Sequence, residues 1–146
     1  MDTLTLVIGN KNYSSWSLRP WLLLRQAEIP FSEIKIPLYT ATAKQEILQY
    51  SANGKVPILK NGDITVWESL AICEYLAEKF PDRHLWPDAP AARALARSIS
   101  MEMHAGFPNL RHHMSMNCRK FLPGKGRGPG VHEETAWPRC CHELHL

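Results

Sequence analysis

A chain of 146 residues suffices for one domain, or for one domain and part of a second. Apolar residues at 45% and charged residues at 21% permit a packed core, while a net charge of only +3, interspersed along most of the chain, leaves no large field to attract nucleic acid or an acidic membrane. The start, Met1-Asp2-Thr3, lacks the basic-then-apolar pattern of a secretory leader, and apolar stretches such as Trp21 to Leu24 are far too short to span a bilayer, so a cytoplasmic, reducing compartment is expected.

Leu4 to Ile8 is a β-rich run ending at Gly9-Asn10 and reads as a buried first strand. A polar loop, Asn10 to Ser15, follows. Proline has no N–H and is harmless only in the first turn of a helix. Pro20 therefore favours Ser17 as the N-cap and a helix from Leu18 to Glu28, with Leu18, Trp21 and Leu22 buried and Ser14 and Ser15 left in the loop. Phe31 to Ile36 alternates apolar and polar residues as a second strand. Thr42-Ala43-Lys44-Gln45 matches a capping box and opens a short helix ending at Asn53-Gly54. Val56 to Lys60 and Asp63 to Val66 flank Asn61-Gly62, a strong hairpin signal because both turn residues would take positive φ. Glu68-Ser69 opens a third helix with Ile72, Cys73, Leu76 and Phe80 facing inward, closed by Pro81-Asp82.

The order β-α-β-α-β-β-α predicts an α/β fold, a thioredoxin-like four-stranded mixed sheet with helices on both faces, over residues 1–81. Residues 82–90 read as a linker anchored at Trp86-Pro87. Residues 91–119 read as one long helix with Leu95, Ile99, Met103, Leu110 and Met114 at helical spacing and a kink at Pro108. From Leu122 the pattern stops in a Gly- and Pro-rich run, and Val131 to Leu146 offers no stretch able to bury a helix face. Residues 120–146 are thus expected to be an irregular tail after the start of an all-α domain, as a break in reading frame or a truncated gene would leave it. A lone amphipathic helix leaves its stripe uncovered, so either a partner such as a second copy of the chain covers it or the rest of a helical domain is missing.

Three loop ends gather at one edge of such a sheet: Ser14-Ser15-Trp16-Ser17, Val56-Pro57 and Glu68-Ser69. Ser-Ser-x-Ser-x-Arg before the first helix resembles the zeta class of glutathione transferases, relatives of maleylacetoacetate isomerase. Val-Pro before the hairpin, and Glu-Ser followed by Leu70-Ala71-Ile72-Cys73-Glu74-Tyr75-Leu76, resemble general marks of the transferase family. The resemblance runs from Leu4 to about Arg119 and is strongest up to Phe80. It implies a homodimeric glutathione transferase of the detoxifying kind, with glutathione as co-substrate and an electrophilic small molecule as the second.

The chemistry needs a thiolate, because a free thiol is mostly protonated at neutral pH. A hydroxyl donor at a helix N-terminus stabilises the anion. By resemblance Ser14 is that donor, with Ser15 as the other candidate. Pro57 is then the cis-proline of the fold, and the Val56 backbone pairs with the cysteinyl part of glutathione. Ser69 and its amide hold the γ-glutamyl carboxylate, Glu68 pairs with the ammonium, and Lys44 and Lys55 reach toward the glycyl end. His104, Phe107 and Arg111 are candidates for the acceptor pocket.

No cysteine stands near Ser14, so thiol–disulfide exchange is not the expected chemistry. Cys73 reads as a small hydrophobe. Cys140-Cys141-His142 and His145 lack ordinary ligand spacing, and no metal is expected. Lys120, Lys125 and Arg127 among glycines read as a linker rather than a nucleic-acid arm. The alternative reading is a catalytically weak glutathione-binding or protein-interaction module that keeps the fold.

Overall fold

The structure, a computed structural model, describes residues 3–136. Four strands, β1 (Thr5–Ile8), β2 (Ser32–Lys35), β3 (Ile58–Asn61) and β4 (Ile64–Trp67), form one sheet in the order β2-β1-β3-β4. The β1–β2 pair is parallel (Leu6 opposite Glu33) and is joined through helix α1 (Ser15–Gln26). The β1–β3 pair (Leu6 opposite Leu59) and the β3–β4 pair (Leu59 opposite Val66) are antiparallel. This is the thioredoxin-like arrangement that the element order predicted.

The two-residue period of a strand divides the core. Leu4, Leu6 and Ile8 point to one face with Leu59, where Leu24 of α1 and Ile72 and Leu76 of α3 (Ser69–Lys79) cover them. Val7 and Ile58 point to the other face, under Ala43 and Ile47 of α2 (Ala43–Leu48). Both faces are covered, as a strand apolar at successive positions requires.

Several elements depart from the sequence reading. Helix α1 begins at Ser15, not Leu18, and its N-cap is Ser14. The Ser14 hydroxyl oxygen accepts the Ser17 N–H at 3.3 Å, and the Leu18 N–H reaches the Ser14 carbonyl at 3.1 Å. Ser17 is committed elsewhere, its hydroxyl oxygen accepting the Gly9 N–H at the end of β1 (3.1 Å). Pro20 therefore lies inside the helix, where the Trp16 carbonyl receives no N–H from it. The buried face runs through Ser17, Pro20 and Leu24, while Leu22, expected inside, is 51% exposed.

The capping box at Thr42 does not close. Its hydroxyl donates to Glu46 Oε1 at 2.6 Å and caps no backbone amide, and α2 ends at Leu48, short of Asn53-Gly54. In the hairpin, Asn61 pairs with Ile64, so the loop is Gly62-Asp63, and of the two residues Asn61 and Gly62 only Gly62 takes positive φ (57°). Asn61 turns inward instead, its Nδ2 donating to Tyr75 Oη at 2.6 Å while its buried Oδ1 has no partner. Tyr75→Phe would strand a second polar atom of the same side chain. Urea unfolding is expected to show a loss of about 1–3 kcal/mol, largely recovered when Asn61→Leu is added, because removing both partners removes the desolvation cost.

Beyond α3 the chain makes one 3₁₀ turn (Pro81–Arg83), and Trp86 then anchors it by donating from Nε1 to Glu74 Oε2 at 3.1 Å. Glu74 also pairs with Arg97 at 3.2 Å, on α4 (Pro90–Ala105). The long helix expected to 119 is interrupted rather than kinked. It stops at Gly106, Phe107 takes φ 64°, and Pro108 begins a separate helix α5 (Pro108–His113). Proline disfavours the α conformation in the residue before it and offers no N–H to continue the ladder. The segment expected to be wholly irregular holds a short helix, α6 (Val131–Thr135), whose Val131 is 5% exposed. No residue of α4 is fully buried, and Met101 and Met103 are exposed at 56% and 41%.

Candidate functional site

The N-terminus of α1, the chain leading into β3 and the N-terminus of α3 enclose a cleft of about 560 Å³. Ser14, Lys55, Val56, Pro57, Glu68 and Ser69 line it, so six of the eleven residues singled out from sequence meet there. Two helix N-termini converge on the same space, presenting backbone donors and positive dipole ends suited to anionic groups.

Ser14 is 8% exposed and stands at the α1 end of the cleft. Its hydroxyl donates to Ser17 Oγ at 2.8 Å and accepts the Ser17 N–H, so the pair forms a small relay that a hydroxyl rotation can redirect into the cleft. Ser15 occupies the first helical position, donates its N–H to the Tyr13 carbonyl at 3.1 Å, and is not among the lining residues. The Val56–Pro57 bond is cis. Ser69 is 1% exposed at the first position of α3. Its N-cap, Glu68, adopts φ 69° and ψ 128°, a conformation costly for a side-chain-bearing residue. Lys55 is exposed on the rim, and Lys44, also exposed, lies beside Gly54 of the cleft wall.

The three acceptor-pocket candidates do not line the cleft but partly back it. His104 places Nδ1 at 3.4 Å from Arg19 Nη1 and Nε2 at 3.9 Å from Glu68 Oε2. Arg111 lies over the Trp16 ring at 4.7 Å and donates to the carbonyls of Gly106 (2.9 Å) and Met103. Phe107 sits at the α4–α5 break. Two site residues were not assigned from sequence. Trp16, the unspecified position of the serine motif, forms part of the cleft wall. Arg19 lies over the same indole at 4.3 Å and donates to Ser69 Oγ at 3.4 Å, joining the α1 and α3 ends of the site. Burial, and after it the Arg111 charge, lowers the Arg19 pKa from its ordinary value. The motif contained Arg19 but not its partner, which is fifty residues away.

Behind Ser69 a smaller cavity of about 150 Å³ reaches Cys73. Burial pushes the Cys73 thiol up to about 11, so it stays protonated and inert at neutral pH. Alkylation at pH 7.5 followed by peptide mass spectrometry is expected to label the exposed Cys118 and leave Cys73 unmodified in the folded chain. Cys140, Cys141, His142 and His145 lie outside the described residues. Among the described residues, no group of His, Cys, Asp and Glu is placed to hold a metal ion.

The cleft of this thioredoxin-like sheet thus lies between two helix N-termini, beside a cis Val-Pro and a Glu-Ser N-cap. Residues 13–79 match the family model of the glutathione S-transferase N-terminal domain. Similarity to known proteins agrees. Over 94 residues the chain is 32% identical to Glutathione S-transferase GstB of Escherichia coli K12, covering 62% of this chain and 45% of that protein. Over 98 residues it is 34% identical to a Caenorhabditis elegans protein named "Probable maleylacetoacetate isomerase", covering 67% and 45%. A Burkholderia glutathione transferase homologue, solved with bound glutathione, superposes with a TM-score of 0.65 at 28% identity, covering 77% of this chain and 62% of that one. Residues 13–79 of this chain thus carry a glutathione S-transferase N-terminal domain. The chain spans about half the length of the curated relatives it matches.

Proposed function

We propose that this chain is a glutathione transferase that binds glutathione in the 560 Å³ cleft and activates its thiol for attack on an electrophilic small molecule or for glutathione-dependent isomerisation. The observation that carries the reading is the convergence of Ser14, Val56, Glu68 and Ser69, from three separate stretches of sequence, on one cleft. Each has a chemical task there. The γ-glutamyl carboxylate lies at the N-terminus of α3, accepting from the Ser69 amide and hydroxyl, while Ser69 Oγ accepts from Arg19 Nη1 at 3.4 Å. Glu68 accepts from the ammonium. The Val56 backbone pairs with the cysteinyl amide, and Lys55 and Lys44 attract the glycyl carboxylate.

That placement brings the cysteinyl sulfur to Ser14. The Ser14 hydroxyl donates to the thiolate, and the α1 dipole adds to the effect, lowering the thiol pKa toward neutrality. The proton leaves to solvent and the thiolate attacks the acceptor. Ser14 rather than Ser15 takes this role because only Ser14 is among the cleft-lining residues. His104, Phe107 and Arg111 flank the acceptor side without forming its floor.

The exposed methionines of α4 and the lack of any fully buried residue on it support a homodimer. Among the described residues no helix is long and apolar enough to cross a membrane; cytoplasmic, detoxifying work is what the resemblance to the transferase family implies. The test is retention on immobilised glutathione together with turnover of a chromogenic electrophile. Retention with turnover supports the transferase. Retention without turnover points to the binding module, and failure of retention overturns the site.

A further inference from the structure

Helix α6 is tied back toward the cleft through α5. Glu134, on α6, caps the start of α5. Its Oε2 accepts the Leu110 N–H at 2.7 Å, and its Oε1 accepts the Asn109 N–H at 3.1 Å and Asn109 Nδ2 at 2.9 Å. Burial alone would raise the Glu134 pKa, yet the Leu110 and Asn109 donors outweigh it and hold the carboxyl below its ordinary value. The buried Val131 seats α6 one turn earlier. A helix of six residues such as α5 does not hold itself in water, so its stability depends on these contacts.

What α5 presents is Arg111, the residue after Leu110. Its guanidinium lies over the Trp16 indole at 4.7 Å, and Trp16 belongs to the cleft wall. A second tie, the Cys118 N–H to the Asn12 carbonyl at 3.2 Å, reaches the loop just before Ser14. We propose that Glu134 is a positioning residue for the glutathione cleft, acting through α5 and Arg111 to hold Trp16 in the wall. The segment from Phe107 to Thr135 is then a strap that steadies the site from outside the N-terminal domain. The proposal rests on the glutathione reading for its ligand.

The test compares the full chain with Glu134→Ala, Glu134→Gln, Arg111→Met and the double variant Glu134→Ala/Arg111→Met, with Glu133→Ala on the same helix as control. Calorimetric titration with glutathione is expected to show dissociation constants raised about three- to tenfold in each single variant, the size of one lost cation–aromatic contact. The double variant should be no weaker than the weaker single one, because both remove the same contact. Glu133→Ala should bind as the parent does. Acrylamide quenching of Trp16, taken as the difference from Trp16→Phe, should rise in the Glu134 variants, which a merely structural role for α6 would not produce. Should Glu134→Ala fail to fold, Glu134→Gln and Arg111→Met carry the comparison. Unchanged affinity in the Glu134 variants, or additive losses in the double variant, would overturn the proposal while leaving the glutathione reading intact. A parent chain that binds no glutathione overturns both.

Discussion

Ser14→Ala is expected to lower the turnover of a chromogenic electrophile with glutathione by about 10²- to 10³-fold, the usual cost of removing one donor aimed at a developing anion. The sign follows from which form of the thiol the hydroxyl favours. A donor to the thiolate lowers the thiol pKa, so its removal raises it, and each unit of rise cuts the thiolate present at neutral pH about tenfold. In the parent chain the activity should already have risen to its plateau near neutrality, whereas the Ser14→Ala profile should climb with pH into the range of a free thiol. A pH–rate profile of kcat/KM measures this directly. Because Ser14 also caps α1, the substitution removes about 1 kcal/mol of stability as well. Ser14→Gly separates the two effects, since glycine at an N-cap costs only about a few tenths of a kcal/mol yet offers no hydroxyl donor. Ser15→Ala should change turnover little, its side chain lying outside the set that lines the cleft. If Ser14→Ala keeps the parental profile, the serine assignment is wrong.

The largest effect on stability is expected at Leu59. It is fully buried at the middle of β3, opposite Leu6 on one side and Val66 on the other, and belongs to the core under α1 and α3. Leu59→Ala removes buried carbon and leaves a cavity that two flanking strands cannot close, at a cost of about 2–5 kcal/mol. Against a typical domain stability of about 5–15 kcal/mol that is a large fraction, and thermal melts should show a drop of roughly 10 °C or more. Ile58 and Pro57, the two preceding residues, run toward the cleft. Saturating glutathione should therefore restore part of the lost Tm, since a ligand bound only by the folded chain stabilises it by mass action. A melt of Leu59→Ala within about 2 °C of the parent would mean that the core is not organised around β3 as described.

The order of elements, the mixed sheet and the gathering of Ser14, Val56, Pro57, Glu68 and Ser69 at one edge were legible in the sequence. They depend on local signals: apolar runs of strand length, a glycine where the chain must reverse, and serines at helix starts. Those signals act over a few residues and survive whatever packs around them. The errors fell where two local solutions were nearly equal. Either Ser14 or Ser17 could cap α1, and the choice turned on the Gly9 amide, which claims the Ser17 hydroxyl. Asn61-Gly62 could have formed the turn, but Asn61 is drawn into the sheet by Tyr75.

The sequence by itself determined the thioredoxin-like domain and the chemical types that line its cleft, because strand period, helix capping and turn chemistry are written in neighbouring residues. Only the tertiary structure decided that Arg19 meets Ser69, that Trp16 lies under two guanidiniums, and that Glu134 caps a helix twenty-odd residues upstream. Those contacts join residues far apart in the chain. Their partners are chosen by packing, and no local pattern of residues encodes that choice.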